Sequence, residues 1–408
     1  MKRRTFLVTA AAGMAAPALA QSMPDAIQNL RPMTGGIQPI TADERSARIE
    51  KARRLMRENK IDAVVCEGGA SMFYFTGTRW TAGERLLAWV LPLKGDSVWV
   101  VPDADRERIA PLIAAGAGVR TWKDAGDASK LVIGAAGRTA RIGMEEKTRF
   151  AAFDGLRQAA PAAEFVSANP VTVGCRVIKS PAEIALLQRA NDITIAAYKA
   201  AFSTLKEGMT NRELSQIIAA AYRMLGVQGG AMAIFGSYTA FPHGSVQPQQ
   251  LREGDMVLID DGCSVEGYQS DITRTTVFGK ATARQREIWN LERKAQDAAL
   301  AAARVGATCE SVDAAARKVI TDAGFGPGYK VPGLPHRTGH GIGLEGHEWT
   351  NLVKGNQTRL QPGMCFSDEP TIAIYGEFGV RLEDCMYIAE SGARMFTRQS
   401  PAIDQPFG

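Results

Sequence analysis

The chain has 408 residues, 45% of them hydrophobic, with 48 Lys+Arg against 43 Asp+Glu and only four histidines. This exceeds the roughly 100–200 residues of a single domain, so two domains with ample cores are expected. Residues 1–20 carry three basic groups and no acid, and without them 45 basic residues face 43 acidic ones, a balance that gives nucleic-acid binding no support.

Lys2, Arg3 and Arg4, an alanine-rich apolar run and Ala18-Leu19-Ala20 before Gln21 read as an export signal. The run is well short of the roughly 20 apolar residues that span a bilayer, so no stable membrane anchor is expected. The paired arginines followed by Thr5, Phe6 and Leu7 favour the twin-arginine route, and hence a periplasmic protein. Residues 21–41, with Pro24, Pro32, Gly35, Gly36 and Pro39, lack hydrophobic periodicity and read as a linker or arm.

A helix is predicted over residues 42–59, then strands at IDAVVCEG, LLAWVLPL, SVWVV, ARIGM and AEFVS, with a helix around DADRERIAPLI. Residues 42–168 therefore form a mixed α/β domain. Ser180-Pro181-Ala182-Glu183 and Thr210-Asn211-Arg212-Glu213 are capping boxes that start helices running to about Lys206 and Leu225. A hairpin containing MVLID follows. From Gln285 the order recurs: a long helix, a shorter one over residues 312–323, a glycine-rich histidine segment and the hairpin MCFSDE…VRLED. Residues 169–408 thus read as an internally duplicated α+β domain with a site between its halves. Six scattered cysteines lack metal-finger spacing and read as buried hydrophobes, with a disulfide left open by export.

All four histidines, His243, His336, His340 and His347, lie in FPHGS and PHRTGHGIGLEGHE. Two hairpins add acids. A two-residue loop at Val265-Glu266 would place Asp260 opposite Asp271, and a loop centred on Gly376 would place Glu369 opposite Glu383. Opposed acids beside apolar runs destabilise a sheet unless something neutralises them. Four carboxylates and the imidazole of His340 suit Mn²⁺, Fe²⁺, Co²⁺ or Zn²⁺, with manganese the first choice. Two divalent ions bridged by carboxylates could activate a water and polarise a carbonyl. Asp261 should point to the opposite face of a regular strand and act as a neighbour.

These segments resemble the pita-bread metallopeptidase family that includes aminopeptidase P, prolidase and methionine aminopeptidase, preceded by a creatinase-type N-terminal domain. IDDG with Asp260, SDITRT with Asp271, GHGIG with His340, DEP with Glu369 and RLED with Glu383 match its metal-ligand positions. The resemblance implies that Glu369 relays a proton, and that His243 and His347 are catalytic and substrate-side histidines. It also implies that His336 lines the substrate site, and that Arg381 steadies the ligand shell or meets substrate. Xaa-Pro peptide hydrolysis is the implied reaction, and a homodimer the implied assembly, with residues 74–80 leaning toward the partner's site. Thr371 stands where the family often has glycine, and no proline closely follows His347-Glu348. Because both changes fall in loops that shape the pocket, a lyase or C–N hydrolase acting on a small zwitterion stays open, as does a non-catalytic peptide-binding module.

Overall fold

The computed structural model describes residues 23–407, Thr139 excepted; the expected export signal at residues 1–20 lies outside the described residues. The arm begins with α1 (Asp25–Gln28), whose Ile27 is fully buried. It is tied down further on, where the Met33 amide donates to the Leu225 carbonyl at 2.9 Å.

The first domain comprises α2 (Ala42–Glu58), β1 (Ala63–Cys66), α3 (Gly69–Thr76), β2 (Ala88–Pro92), β3 (Val98–Pro102), α4 (Arg106–Ile109), β4 (Gly118–Trp122), α5 (Ala125–Ala136), β5 (Arg141–Met144), α6 (Phe150–Ala159) and β6 (Glu164–Ser167), and, past the expected boundary at residue 168, α7 (Asn169–Arg176), which packs on α2. Its six strands run in the order β4-β3-β2-β1-β5-β6. The helix expected around DADRERIAPLI is one α-helical turn flanked by 3₁₀ turns, because Pro111 has no N–H to extend it. Alternation along β1 splits the core: Ala63 and Val65 face one cluster, whereas Val64 and Cys66 face a second. That second cluster continues through Trp89 into Leu187, Tyr198 and Tyr222 of the next domain, so the two domains share an apolar core.

The second domain opens with α8 (Pro181–Phe202) and α9 (Asn211–Met224), followed by β7 (Gln228–Gly229), β8 (Met232–Phe235), β9 (Met256–Asp260), β10 (Cys263–Val265), β11 (Tyr268–Gln269) and β12 (Arg274–Val277). The other half is α10 (Ala283–Ala302), α11 (Cys309–Asp322), β13 (Gly339–Gly341), β14 (Glu348–Leu352), β15 (Cys365–Asp368), β16 (Thr371–Ile374), β17 (Phe378–Arg381), β18 (Asp384–Ala389) and β19 (Gly392–Met395). Each half is a long capped helix, a 14-residue helix and antiparallel strands, with long helices of 22 and 20 residues. Both expected capping boxes form, the Ser180 hydroxyl accepting from the Glu183 amide while the Glu183 carboxylate accepts from the Ser180 amide at 2.9 Å. Thr282 and Gln285 make a third box, so α10 starts two residues before the expected Gln285.

The first hairpin departs from the expected register. The turn falls on Glu266-Gly267, both at positive φ (48° and 93°), since glycine takes that conformation at no steric cost. Ser264 therefore pairs with Gln269 and Ile259 with Arg274, which places Asp260 beside Thr273, not Asp271. The strand also breaks at Asp261 (φ 121°). At the adjacent Gly262 a Cβ would lie 2.1 Å from the Ser270 carbonyl oxygen, so only glycine fits. In the second hairpin Thr371 pairs with Arg381 and Asp368 with Asp384, a register centred on Gly376 that sets Glu369 across from Glu383.

Candidate metal centre

The hairpins and β13 converge on a cleft of about 670 Å³ lined by Asp260, Asp261, Asp271, His243, His336, Arg337, His340, His347, Glu369, Arg381 and Glu383, among others. The Nε2 atom of His340 lies 3.3 Å from Glu369, 3.7 Å from Asp271 and 3.9 Å from Glu383. Its Nδ1 faces the Gly341 carbonyl at 3.1 Å, which assigns the proton to Nδ1 and leaves the Nε2 lone pair aimed at three acids. Burial, then the neighbouring His347 and Arg337, pushes the His340 pKa down, keeping the ring neutral. A lone pair facing carboxylates is repulsive unless a cation lies between them, so the donor set fits metal ions.

Three overlapping groups each offer ligand atoms within 4.8 Å of one another: Asp260 with Asp271 and Glu383, His340 with Glu369 and Glu383, and His340 with Asp271 and His347. The five sequence-predicted ligands are thus brought together, and His347 reaches their edge, its ring centroid 4.1 Å from that of His340. Burial followed by mutual repulsion raises the pKa values of Asp271 and Glu383, and burial pushes Glu369 up to about 7. Asp260 goes the other way despite burial, because Arg381 and Thr273 favour its charged form.

Arg381 is committed to this shell. Its Nε donates to the Thr273 hydroxyl at 3.1 Å, one terminal nitrogen donates to the Pro242 carbonyl at 3.0 Å, and the other to Asp260. Of the two roles the resemblance implied, the geometry supports steadying the shell. The Thr273 hydroxyl lies 2.6 Å from Asp260 and 2.7 Å from Glu383, a brace that the hairpin register did not foretell. Asp261 does not turn away: the broken strand leaves it lining the cleft, with burial and Asp260 pushing its pKa to about 6.

His336 also lines the cleft, but both ring nitrogens have protein partners, the Arg337 carbonyl at 2.6 Å and the Thr371 hydroxyl at 3.0 Å. Thr371, a departure from the family pattern, thus orients His336, whose pKa burial lowers to about 3. His243 sits at the exposed rim beside Pro242. Arg337, with Nε 3.8 Å from Glu369, went unnoticed in sequence because a lone arginine between two histidines carries no spacing signal.

Behind the hairpin lies a second acid layer. Asp384 bonds Arg274 at 2.7 Å and Gln296 at 3.1 Å. The Asp368 carboxyl is fully buried without a hydrogen-bond partner among the described residues, and Glu292 is fully buried beside the Leu382 amide. Burial raises both pKa values, which favours their neutral forms. All six cysteines are free and buried, with no disulfide among the described residues.

A duplicated domain that gathers four acids and an imidazole at the seam of its halves defines a metal-dependent enzyme. Residues 185–390 match metallopeptidase family M24, and residues 48–178 match the creatinase/prolidase N-terminal domain. The chain belongs to metallopeptidase family M24, and its second domain has the pita-bread fold. It is 31% identical to the Xaa-Pro dipeptidase of Pyrococcus furiosus over 86% of this chain and 97% of that protein. Among solved structures it resembles dipeptidase PepE from Mycobacterium ulcerans, with a TM-score of 0.84 and 31% identity over 90% of this chain and 99% of the other. It also resembles prolidase from Thermococcus sibiricus, with a TM-score of 0.80 and 26% identity over 86% and 96%.

Proposed function

We propose that this protein hydrolyses Xaa-Pro bonds, with Xaa-Pro dipeptides the first substrates to test, using two divalent ions, manganese foremost. Asp260, Asp271, His340, Glu369 and Glu383 would hold the ions, which when bound supply a Lewis acid and lower the pKa of a coordinated water. Glu369, 3.3 Å from the His340 Nε2 in the cleft, is placed to accept and return a proton. Burial lowers the pKa of His347, so its neutral ring can donate a hydrogen bond to a developing oxyanion or leaving nitrogen. His243 stands at the exposed rim of the same cleft. His336, fixed by Thr371, presents its ring to the substrate as a wall.

The observation that carries this reading is the convergence of the five donors in a cleft whose rim bears His243 and His347. The dipeptidase and prolidase names of the relatives support the choice of bond. Export to the periplasm and a homodimer belong to the same proposal. Arg79 lies 4.0 Å from Glu266 and is largely exposed, where a second subunit could meet it. No described helix is long and apolar enough to cross a membrane.

The test is product analysis with manganese-loaded protein on a Gly-Pro dipeptide, a longer Xaa-Pro peptide and a non-peptide zwitterion. Release of free proline from the dipeptide is the expected result. Turnover of the zwitterion alone would replace the reading with a lyase or C–N hydrolase. Sedimentation as a fully active monomer at micromolar concentration would remove the dimer.

A further inference from the structure

The loop between β13 and β14 carries His347, with Glu345 and Glu348 on either side, and both acids are held from the first domain and the strap that follows it. Arg176, the last residue of α7, donates from one terminal nitrogen to Glu345 at 2.7 Å and to Glu348 at 2.5 Å. Its other terminal nitrogen donates to the Ser71 hydroxyl in α3 at 3.1 Å, and that hydroxyl donates to Glu145 at 3.1 Å. Lys179 donates to the second oxygen of Glu348 at 2.9 Å, and Lys147 pairs with Glu345. The Glu348 oxygen that meets Arg176 also accepts the Leu344 amide at 2.9 Å, folding the loop back on itself.

This cluster is buried. The Lys179, Glu348 and Arg176 side chains are 2%, 5% and 6% exposed. Burial alone would push Glu348 up, but Lys179 and Arg176 hold its carboxyl down to about 2, so it is ionised at any working pH. Glu345 and Arg176 need not be so close to keep two domains together, since the shared apolar core already does that. What the charges add is direction: Glu348 is gripped on one oxygen by Arg176 and on the other by Lys179, which fixes its angle as well as its distance. The held partners are two residues before His347 and one residue after it, where the loop ends and β14 begins.

We propose that Arg176 and Lys179 are positioning residues for His347, so that the first domain and its strap set where this histidine stands over the cleft. Neither touches the reacting atoms; both act through Glu348. This rests on the catalytic role proposed for His347, and one readout is chosen to be independent of it. With only four histidines in the chain, the ring signals of ¹⁵N-histidine-labelled, zinc-loaded protein can be assigned by comparison with His347→Ala.

In Lys179→Met, the His347 signal should shift or broaden while the His340 signal and zinc content stay unchanged. With hydrolysed substrate, kcat should fall by about tenfold to a hundredfold, the range that follows from misplacing a group by about 1 Å, with KM moved by less than about threefold. Lys179→Arg should restore both. Arg176→Lys, which keeps the charge and loses the fork, should disturb His347 without unfolding the chain, and guards against a Lys179→Met protein that does not fold. An unchanged His347 signal in both folded variants would overturn the positioning role. A shifted signal without any Xaa-Pro hydrolysis in the parent would keep the positioning and discard the assigned reaction.

Discussion

Removing the metal should leave a charge problem whose size can be worked out for Glu369. Its side chain is 13% exposed, and its pKa stands at about 7 against an ordinary 4.5. A carboxyl whose folded pKa is raised contributes stability below its unfolded pKa, and that contribution is lost as pH rises through the folded value. Between about pH 5.5 and about pH 8 the loss is about 2 kcal/mol, with a full span of about 3 kcal/mol at roughly 1.4 kcal/mol per pKa unit. The neutral histidines run the other way: the His336 pKa is lowered to about 3, so its contribution is lost as pH falls below about 6.5. Total stability therefore mixes opposing slopes, and the informative quantity is the difference from Glu369→Gln, which mimics the protonated acid at every pH. In chelator-treated protein the variant should already be more stable by about 1 kcal/mol in urea unfolding near pH 5.5, and by about 3 kcal/mol near pH 8. Added manganese should reverse the order by stabilising the wild type more. A difference that does not change with pH would refute the reasoning, since Glu369 would then carry no raised pKa.

Asp271→Ala should lose both bound metal and turnover, whereas His347→Ala should keep the metal and lose turnover; metal analysis beside kinetics separates them. Arg381→Met should free Asp260 from its cation and weaken metal retention against a graded chelator series, because the buried carboxylate then lacks its fixed partner. Ser180→Ala should lower stability by about 1 kcal/mol through loss of the α8 cap, measured by urea unfolding. The six buried cysteines should resist a thiol reagent until denaturant exposes them.

Much of this was legible because the signals were local. Ser180 and Thr210 announce their helices through a serine or threonine followed three residues later by glutamate, chemistry that needs no tertiary information. Thr282 obeys the same rule with glutamine in place of glutamate. Glu369 and Glu383 could be paired from Gly376 alone, since one turn set the whole register. Asp260 and Asp271 could not, because Gly267 moved the turn and Asp261 interrupted the strand; they still share the cleft through that break. Arg274, Thr273, Arg337 and the Arg176-Lys179 clamp were invisible for a different reason. Each acts across more than one element, and a single positive or hydroxyl side chain in sequence says nothing about which distant acid it will meet.

The second hairpin carries acids back to back: Glu369 and Glu383 toward the metal cleft, Asp368 and Asp384 toward the layer behind. Turning both strands over by one residue would present a different but equally acidic pair to the cleft, so alternation of apolar and polar residues, which ordinarily forbids such a misfold, discriminates weakly here. The asymmetry comes from behind. Arg274, fully buried, meets Asp384 at 2.7 Å and also donates to the Glu383 carbonyl at 2.9 Å, while Gln296 and Thr397 hold Asp384 from other sides. The two acid faces of this ribbon thus differ in what each meets, a fixed cation behind and the Thr273 hydroxyl in front, and Arg274 shapes the site without being a part of it.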